Sequence, residues 1–190
     1  MAEVLLFHHA LGLTPGCHEF ADALRSEGHV VHLPDLYDGR TFTELDDGIG
    51  YAKVVGFDEI LGRGLRAAED LPHELVYAGF SLGVSPAQQL AQTRDGATGA
   101  LFINACLPPS EFGAWPSGVP VQVHAMQGDE WFEEDLEGAQ ALVAEAKDAV
   151  LYLYPGDRHL FADSSIASDY DPDAAALLTR RVLAFLGERS

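Results

Sequence analysis

Short apolar runs alternate with longer amphipathic stretches along this chain, and the alternation predicts its elements. The runs at residues 4–7, 29–33, 75–80, 100–103, 121–126 and 150–154 have the length and continuity of strands buried on both faces. Helical spacing predicts helices over about 17–26, 57–69, 87–93 and 136–146, with a closing amphipathic helix over 174–186. In the second of these, Ile60, Leu61, Leu65 and Ala68 recur along one helical face. Residues 34–56 are polar and Gly-rich and read as a long loop holding at most one short helix; 107–120 is a Pro-rich connection.

Strands separated mostly by helices build a parallel sheet covered on both faces. Right-handed crossovers make it a doubly wound α/β sheet of about six mostly parallel strands. A length of 190 residues fits one domain, 1–190, without room for a large cap domain. Ligands in such folds bind beyond the carboxyl ends of the strands, which directs attention to the residues immediately after each strand.

Charge narrows the partners. The chain has 30 Asp+Glu against 11 Lys+Arg, a formal net charge of -19. Such a surface repels phosphate backbones and anionic bilayers, so neither nucleic acid nor membrane is expected as a partner. The first residues lack the basic segment of a signal peptide, and no run approaches the roughly 18 apolar residues of a membrane span. Cys17 and Cys106 are two cysteines only, which suits a reduced, cytoplasmic protein better than a disulfide scaffold. A small molecule is the expected partner, with a homodimer as the assembly allowed for.

The chemistry sits after three strands. The run at 75–80 leads into Gly79-Phe80-Ser81-Leu82-Gly83 and then a helix, which matches the G-x-S-x-G nucleophile elbow. A strand-to-helix turn that sharp crowds its neighbours, so small residues flank Ser81 on both sides. The strand at 121–126 runs into Gln127-Gly128-Asp129, and the strand at 150–154 into Pro155-Gly156-Asp157-Arg158-His159. Ser81, Asp129 and His159 therefore come in the order described for α/β hydrolases. A serine needs a base, and the base an orienting acid. Taken singly, each has a plainer reading: Ser81 and Asp129 as helix caps, His159 as a surface-loop histidine. The oxyanion of an acyl-transfer intermediate needs two backbone N–H donors. One falls on Leu82; the other falls in His8-His9-Ala10-Leu11-Gly12, at Ala10 or its neighbour Leu11.

These motifs resemble the dienelactone hydrolase family of small α/β hydrolases, which open lactones and esters. The resemblance includes Leu33-Pro34-Asp35-Leu36-Tyr37, the elbow, Gln127-Gly128-Asp129 and His159-Leu160-Phe161-Ala162, and runs on to Ala184-Phe185-Leu186. It implies an α/β-hydrolase fold with Ser81 as nucleophile, His159 as base and Asp129 as orienter, and gives the oxyanion role to Ala10 and Leu82. Three positions depart from the family prototype. Ser81 stands where the prototype has cysteine, His9 where it has a gating glutamate, and Asp163 where an arginine grips the substrate carboxylate. The last change argues against a carboxylate-bearing substrate.

The expected substrate is a small carboxylic ester or lactone, held by a wall drawn from His9, Tyr37, Arg40, Trp131, Arg158 and Phe161. A thioesterase or peptidase would use the same triad, and a non-catalytic ligand-binding module would keep the fold without the chemistry. No metal and no cofactor are expected. His8, His9, His18, His124 and Asp35 have no spacing that matches a coordination geometry, and Gly12-Leu13-Thr14-Pro15-Gly16 lacks the lysine of a phosphate loop. Both cysteines read as buried small hydrophobes, with a reactive thiolate conceivable at Cys17. The acidic runs at 46–47 and 133–135 read as solvated faces.

Overall fold

In the computed structural model, which describes residues 1–189, the apolar runs form one sheet. Its strands are β1 (Glu3–Phe7), β2 (Val30–His32), β3 (Leu75–Phe80), β4 (Ala97–Ile103), β5 (Val121–Met126) and β6 (Ala149–Tyr154). Every neighbouring pair is parallel, in the order β2-β1-β3-β4-β5-β6. The chain steps outward from β1 to β2, then crosses back past β1 to β3 and continues the other way. The β1/β3 boundary is thus the switch point where a doubly wound sheet opens a crevice.

Alternate side chains of each strand feed two cores. Leu5, Phe7, Tyr77, Phe102 and Val123 lie under α2 (Leu45–Val55), α3 (Phe57–Ala67), α4 (Val84–Thr93) and α5 (Glu130–Glu145). Val4, Leu6, Val76, Ala78 and Leu101 lie under α1 (Pro15–Ser26) and α6 (Pro172–Gly187). A fully buried Leu or Phe contributes roughly 1.5–3 kcal/mol, so continuous apolar runs belong at the centre of such a sheet. All six residues of β3 are buried, as its central place requires. Among the described residues no helix is long and apolar enough to cross a membrane.

The runs expected to be buried on both faces include the edge strands β2 and β6, which instead expose Val30, Val150 and Leu153 because each has a neighbour on one side only. Two further segments differ from expectation. Residues 45–55 of the expected loop form α2, although Gly48 and Gly50 lower helix propensity and Glu44 provides no side-chain cap. Tertiary packing supplies what propensity lacks: Ala52 is fully buried, and Gly48 lies so close to the Ala10 carbonyl that a Cβ there would be 2.0 Å from its oxygen. α5 begins at Glu130, well before residue 136, because Asp129 accepts from Trp131 N–H and the acidic first turn suits the positive helix terminus.

The turn out of β3 is closely packed, backbone against backbone. It is a 3-10 turn, Ser81–Gly83, with Ser81 at φ 48°. A Cβ on Gly79 would sit 2.2 Å from the Gly83 carbonyl oxygen, and one on Gly83 2.6 Å from the Phe7 and His8 carbonyl oxygens. Backbone meets backbone at both places, and backbone cannot step aside as a flexible side chain can. Gly83→Ala should therefore destabilise the protein by about 2 kcal/mol or more, the upper range of overpacking effects. Urea denaturation measures this, and an unchanged midpoint would show that the turn has room to spare.

Candidate active site

The carboxyl ends of β3, β5 and β6 bring three side chains together. Ser81 Oγ lies 2.8 Å from His159 Nε2, and His159 Nδ1 lies 2.7 Å from Asp129 Oδ2. A carboxylate oxygen only accepts, so the imidazole proton sits on Nδ1 and the Nε2 lone pair accepts the Ser81 hydroxyl proton. Asp129 also accepts from Trp131 N–H through Oδ1 at 3.0 Å, so capping α5 locks the carboxylate that orients His159. Asp129 and His159 are buried, at 2% and 7% exposure, which strengthens their hydrogen bond.

Ser81, Leu82, His159 and Ala10 line a cavity of about 360 Å³. Leu45, Ile49, Phe57, Ile60 and Leu61 from α2 and α3 make an apolar wall. Asn104, Ala105 and Leu107 after β4 also line the cavity, with Trp131, Glu134 and Asp135 from the start of α5. By sequence alone Glu134 and Asp135 belong to a solvated run. The earlier start of α5 turns them onto the cavity.

Of the six residues expected to hold substrate, Trp131 lines the cavity and its ring lies 5.9 Å from that of His159. Tyr37 is buried in the core, where its hydroxyl donates to the Gly48 carbonyl and its ring packs edge-on against His8. Phe161 is fully buried against Tyr154. Arg40 stacks over Tyr51, and Arg158 donates to the Tyr170 carbonyl. Long side chains took these nearer partners, which spacing along a chain does not reveal.

His9 also turns away from the cavity. It is buried, with Nε2 2.7 Å from Asp163 Oδ2 and Nδ1 3.2 Å from Leu11 N. Asp163 further accepts from Thr14 and Ser165 hydroxyls. Burial raises a carboxyl pKa, but the hydrogen bonds from His9, Ser165 and Thr14 outweigh it and hold Asp163 down at about 2. Burial likewise lowers the His9 pKa, and the hydrogen bonds and charges of Asp163 and Cys17 together outweigh it and raise it to about 9. The Leu11 N–H is directed at Nδ1, and Nε2 donates to Asp163. Because Leu11 N–H is taken, Ala10 is the first-loop residue that both lines the cavity and keeps its N–H out of that bond.

The residues that could share a metal ion include only one of the histidines weighed from the sequence. Among the described residues they are His9, Cys17 and Asp163, all buried, with ligand atoms within 4.8 Å of one another. Cys17 Sγ is 3.6 Å from His9 Nε2, so His9 already partners both of the others directly. Cys106 is buried too; burial first, and then Asp135, push its thiol up to about 12, the state of an unreactive cysteine.

The family model described as the dienelactone hydrolase family matches residues 1–190. No curated protein sequence matches the chain. Among solved structures it is similar to a dienelactone hydrolase-like promiscuous phosphotriesterase from metagenomic libraries, with 18% identity, a TM-score of 0.76 and coverage of 99% of this chain and 86% of that one. It is also similar to mouse alpha/beta hydrolase domain-containing protein 10, at 16% identity and TM-score 0.69, covering 99% and 90%. Esterase 2 of Thermogutta terrifontis gives 16% and 0.66, covering 100% and 84%.

The Asp163 cluster makes stability depend on pH. A carboxyl lowered from 3.8 to about 2 contributes stability that is complete above 3.8 and lost as pH falls through 2. The gap in unfolding free energy between the wild type and Asp163→Asn should therefore shrink by roughly 2 kcal/mol between pH 5 and pH 2. Urea titrations across that range check it; a constant gap would mean that Asp163 gains nothing from its charge.

Proposed function

The chain belongs to the dienelactone hydrolase family of ester-bond hydrolases, and on that premise we propose that it cleaves small carboxylic esters or lactones through an acyl-enzyme on Ser81. The observation that carries the reading is the continuous hydrogen-bonded line from Ser81 through His159 to Asp129, at 2.8 and 2.7 Å. Ser81 Oγ attacks the carbonyl carbon while His159 Nε2 takes its proton. Asp129 stabilises the imidazolium that results. The carbonyl oxygen, now an oxyanion, accepts from Ala10 and Leu82 N–H. His159 then returns the proton to the departing alkoxide, which stays on the same molecule if the substrate is a lactone. Water, deprotonated by His159, attacks the acyl carbon and frees Ser81.

The cavity of about 360 Å³ lies near the lower end of small-molecule sites, which supports a small substrate. Serine in place of cysteine suits oxygen esters, because His159 removes the proton only as the bond forms.

In folded Ser81→Ala and His159→Ala variants, hydrolysis of 4-nitrophenyl butyrate should fall about 10³-fold or more, the scale of losing a triad member. A fluorophosphonate should add once to the wild type, on Ser81, and not to His159→Ala. Wild-type rates in Ser81→Ala would overturn the mechanism. Folded protein that takes no label would make it a ligand-binding module, and a faster rate on matched thioesters or amides would reassign the bond it cuts.

A further inference from the structure

We propose that the wall formed by Asn104 and Asp135 is a recognition subsite for a hydrogen-bond-donating nitrogen, an ammonium or an amide, carried by the substrate. The inference rests on the proposed ester hydrolysis only for which bond is cut beside that subsite.

Asn104 is the first observation. It lies just past β4 with φ 67°, its N–H donates to the His124 carbonyl at 2.8 Å, and it is 1% exposed. Its side-chain Oδ1 and Nδ2 are both buried without a hydrogen-bond partner among the described residues. Native proteins leave few buried amides unpaired, because the group gives up water and receives nothing in return. Asn104 is among the residues lining the cavity that holds Ser81, so a bound molecule that draws the amide outward would give it the partners it lacks.

Asp135 is the second. Its Oδ2 accepts from Cys106 N–H at 3.0 Å, which fastens α5 to the chain two residues beyond Asn104 and puts both polar groups on one wall. Burial pushes its carboxyl pKa upward, against the opposing pull of Cys106 N–H and His159. A carboxylate that burial makes costly gains from a cation or N–H placed against it. Glu134 adds a second carboxylate to the same cavity, and no Lys or Arg lines it among the described residues. A substrate carboxylate would meet like charge here with no guanidinium to answer it. The discrimination that the sequence suggests for Asp163 falls instead to Glu134 and Asp135, since Asp163 is spent on His9, Thr14 and Ser165.

Binding of 4-phenylbutylammonium, 4-phenylbutanamide and 4-phenylbutyrate, monitored by calorimetry and by Trp131 fluorescence, tests the subsite without any turnover. The ammonium and the amide should bind at least about tenfold more tightly than the carboxylate, the scale of one like-charge contact in a partly solvated site. Asp135→Asn should bring ammonium and carboxylate within about threefold of each other. Asn104→Gly, which keeps the left-handed backbone, should remove the advantage of the amide. Equal affinities, a preference that survives both substitutions, or no binding of any of the three would overturn the proposal. In parallel, kcat/KM is measured on 4-nitrophenyl trans-cyclohexanecarboxylates carrying an aminomethyl, carbamoyl or carboxyl group at position 4. The binding order without hydrolysis of any ester would sustain the subsite and refute Ser81 acyl transfer. Equal hydrolysis of all three would refute the subsite and leave the acyl transfer standing.

Discussion

Close contact of backbone with backbone, where β3 turns into α4, is the constraint on which the rest of the site depends. Gly83 lies against the carbonyls that end β1, and Gly79 against the carbonyl of Gly83 itself. These contacts hold Ser81 in a left-handed conformation that a non-glycine residue rarely adopts. Strain of that kind persists only where the surroundings over-determine it. Here the surroundings are a fully buried β3 and an α4 seated on the sheet through Val84, Ala87 and Leu90. The result is a fixed distance between the elbow and the loop after β1. In the proposed reaction that distance sets how Leu82 N–H and Ala10 N–H converge on one oxygen.

Around this turn, the other loops are tied down by groups that each make two bonds. Asp129 caps α5 with one oxygen and orients His159 with the other. His9 accepts Leu11 N–H on one nitrogen and donates to Asp163 on the other. The second link joins the loop after β1 to the loop after β6, the two segments that carry Ala10 and His159. His9 therefore ties the two loops together from outside the cavity lining. Its burial with Cys17, Thr14 and Asp163 removes it from contact with anything in the cavity.

The sheet and the strand-end residues were legible in the sequence because they obey a rule about topology: continuous apolar runs make parallel strands, and the residues at their carboxyl ends gather on one edge. The elbow and the order Ser81, Asp129, His159 needed nothing further. The features hidden from the sequence were tertiary. α2 is a helix in spite of two interior glycines, since Gly48 is chosen for its fit against the Ala10 carbonyl. Tyr37 and Phe161 lie beyond strand ends, as wall residues should, yet both are absorbed into the cores. Arg40 and Arg158 had the reach to approach the cavity and found closer partners. The acidic turn of α5 escapes the sequence for a different reason. An Asp that reads as an orienting acid is also a cap, and reading both roles at once would start the helix at Glu130 and bring Glu134 and Asp135 to the cavity.

Carboxylates beside a developing oxyanion invite the objection that they oppose the proposed chemistry, and the arrangement of charge answers it. Acyl transfer from Ser81 creates two charges together, a negative one on the substrate oxygen and a positive one on His159. The backbone N–H groups of Ala10 and Leu82 answer the first. Asp129 answers the second directly, and Asp135, which shares the cavity with His159, adds to it through space. What the acidic wall disfavours is a third charge, a fixed negative group brought in by the substrate. A cavity that supplied a guanidinium would invert this, welcoming the carboxylate while competing with His159 for Asp129. The absence of any Lys or Arg from the described lining, in a chain with 11 of them, thus favours both the proposed base and the proposed substrate preference.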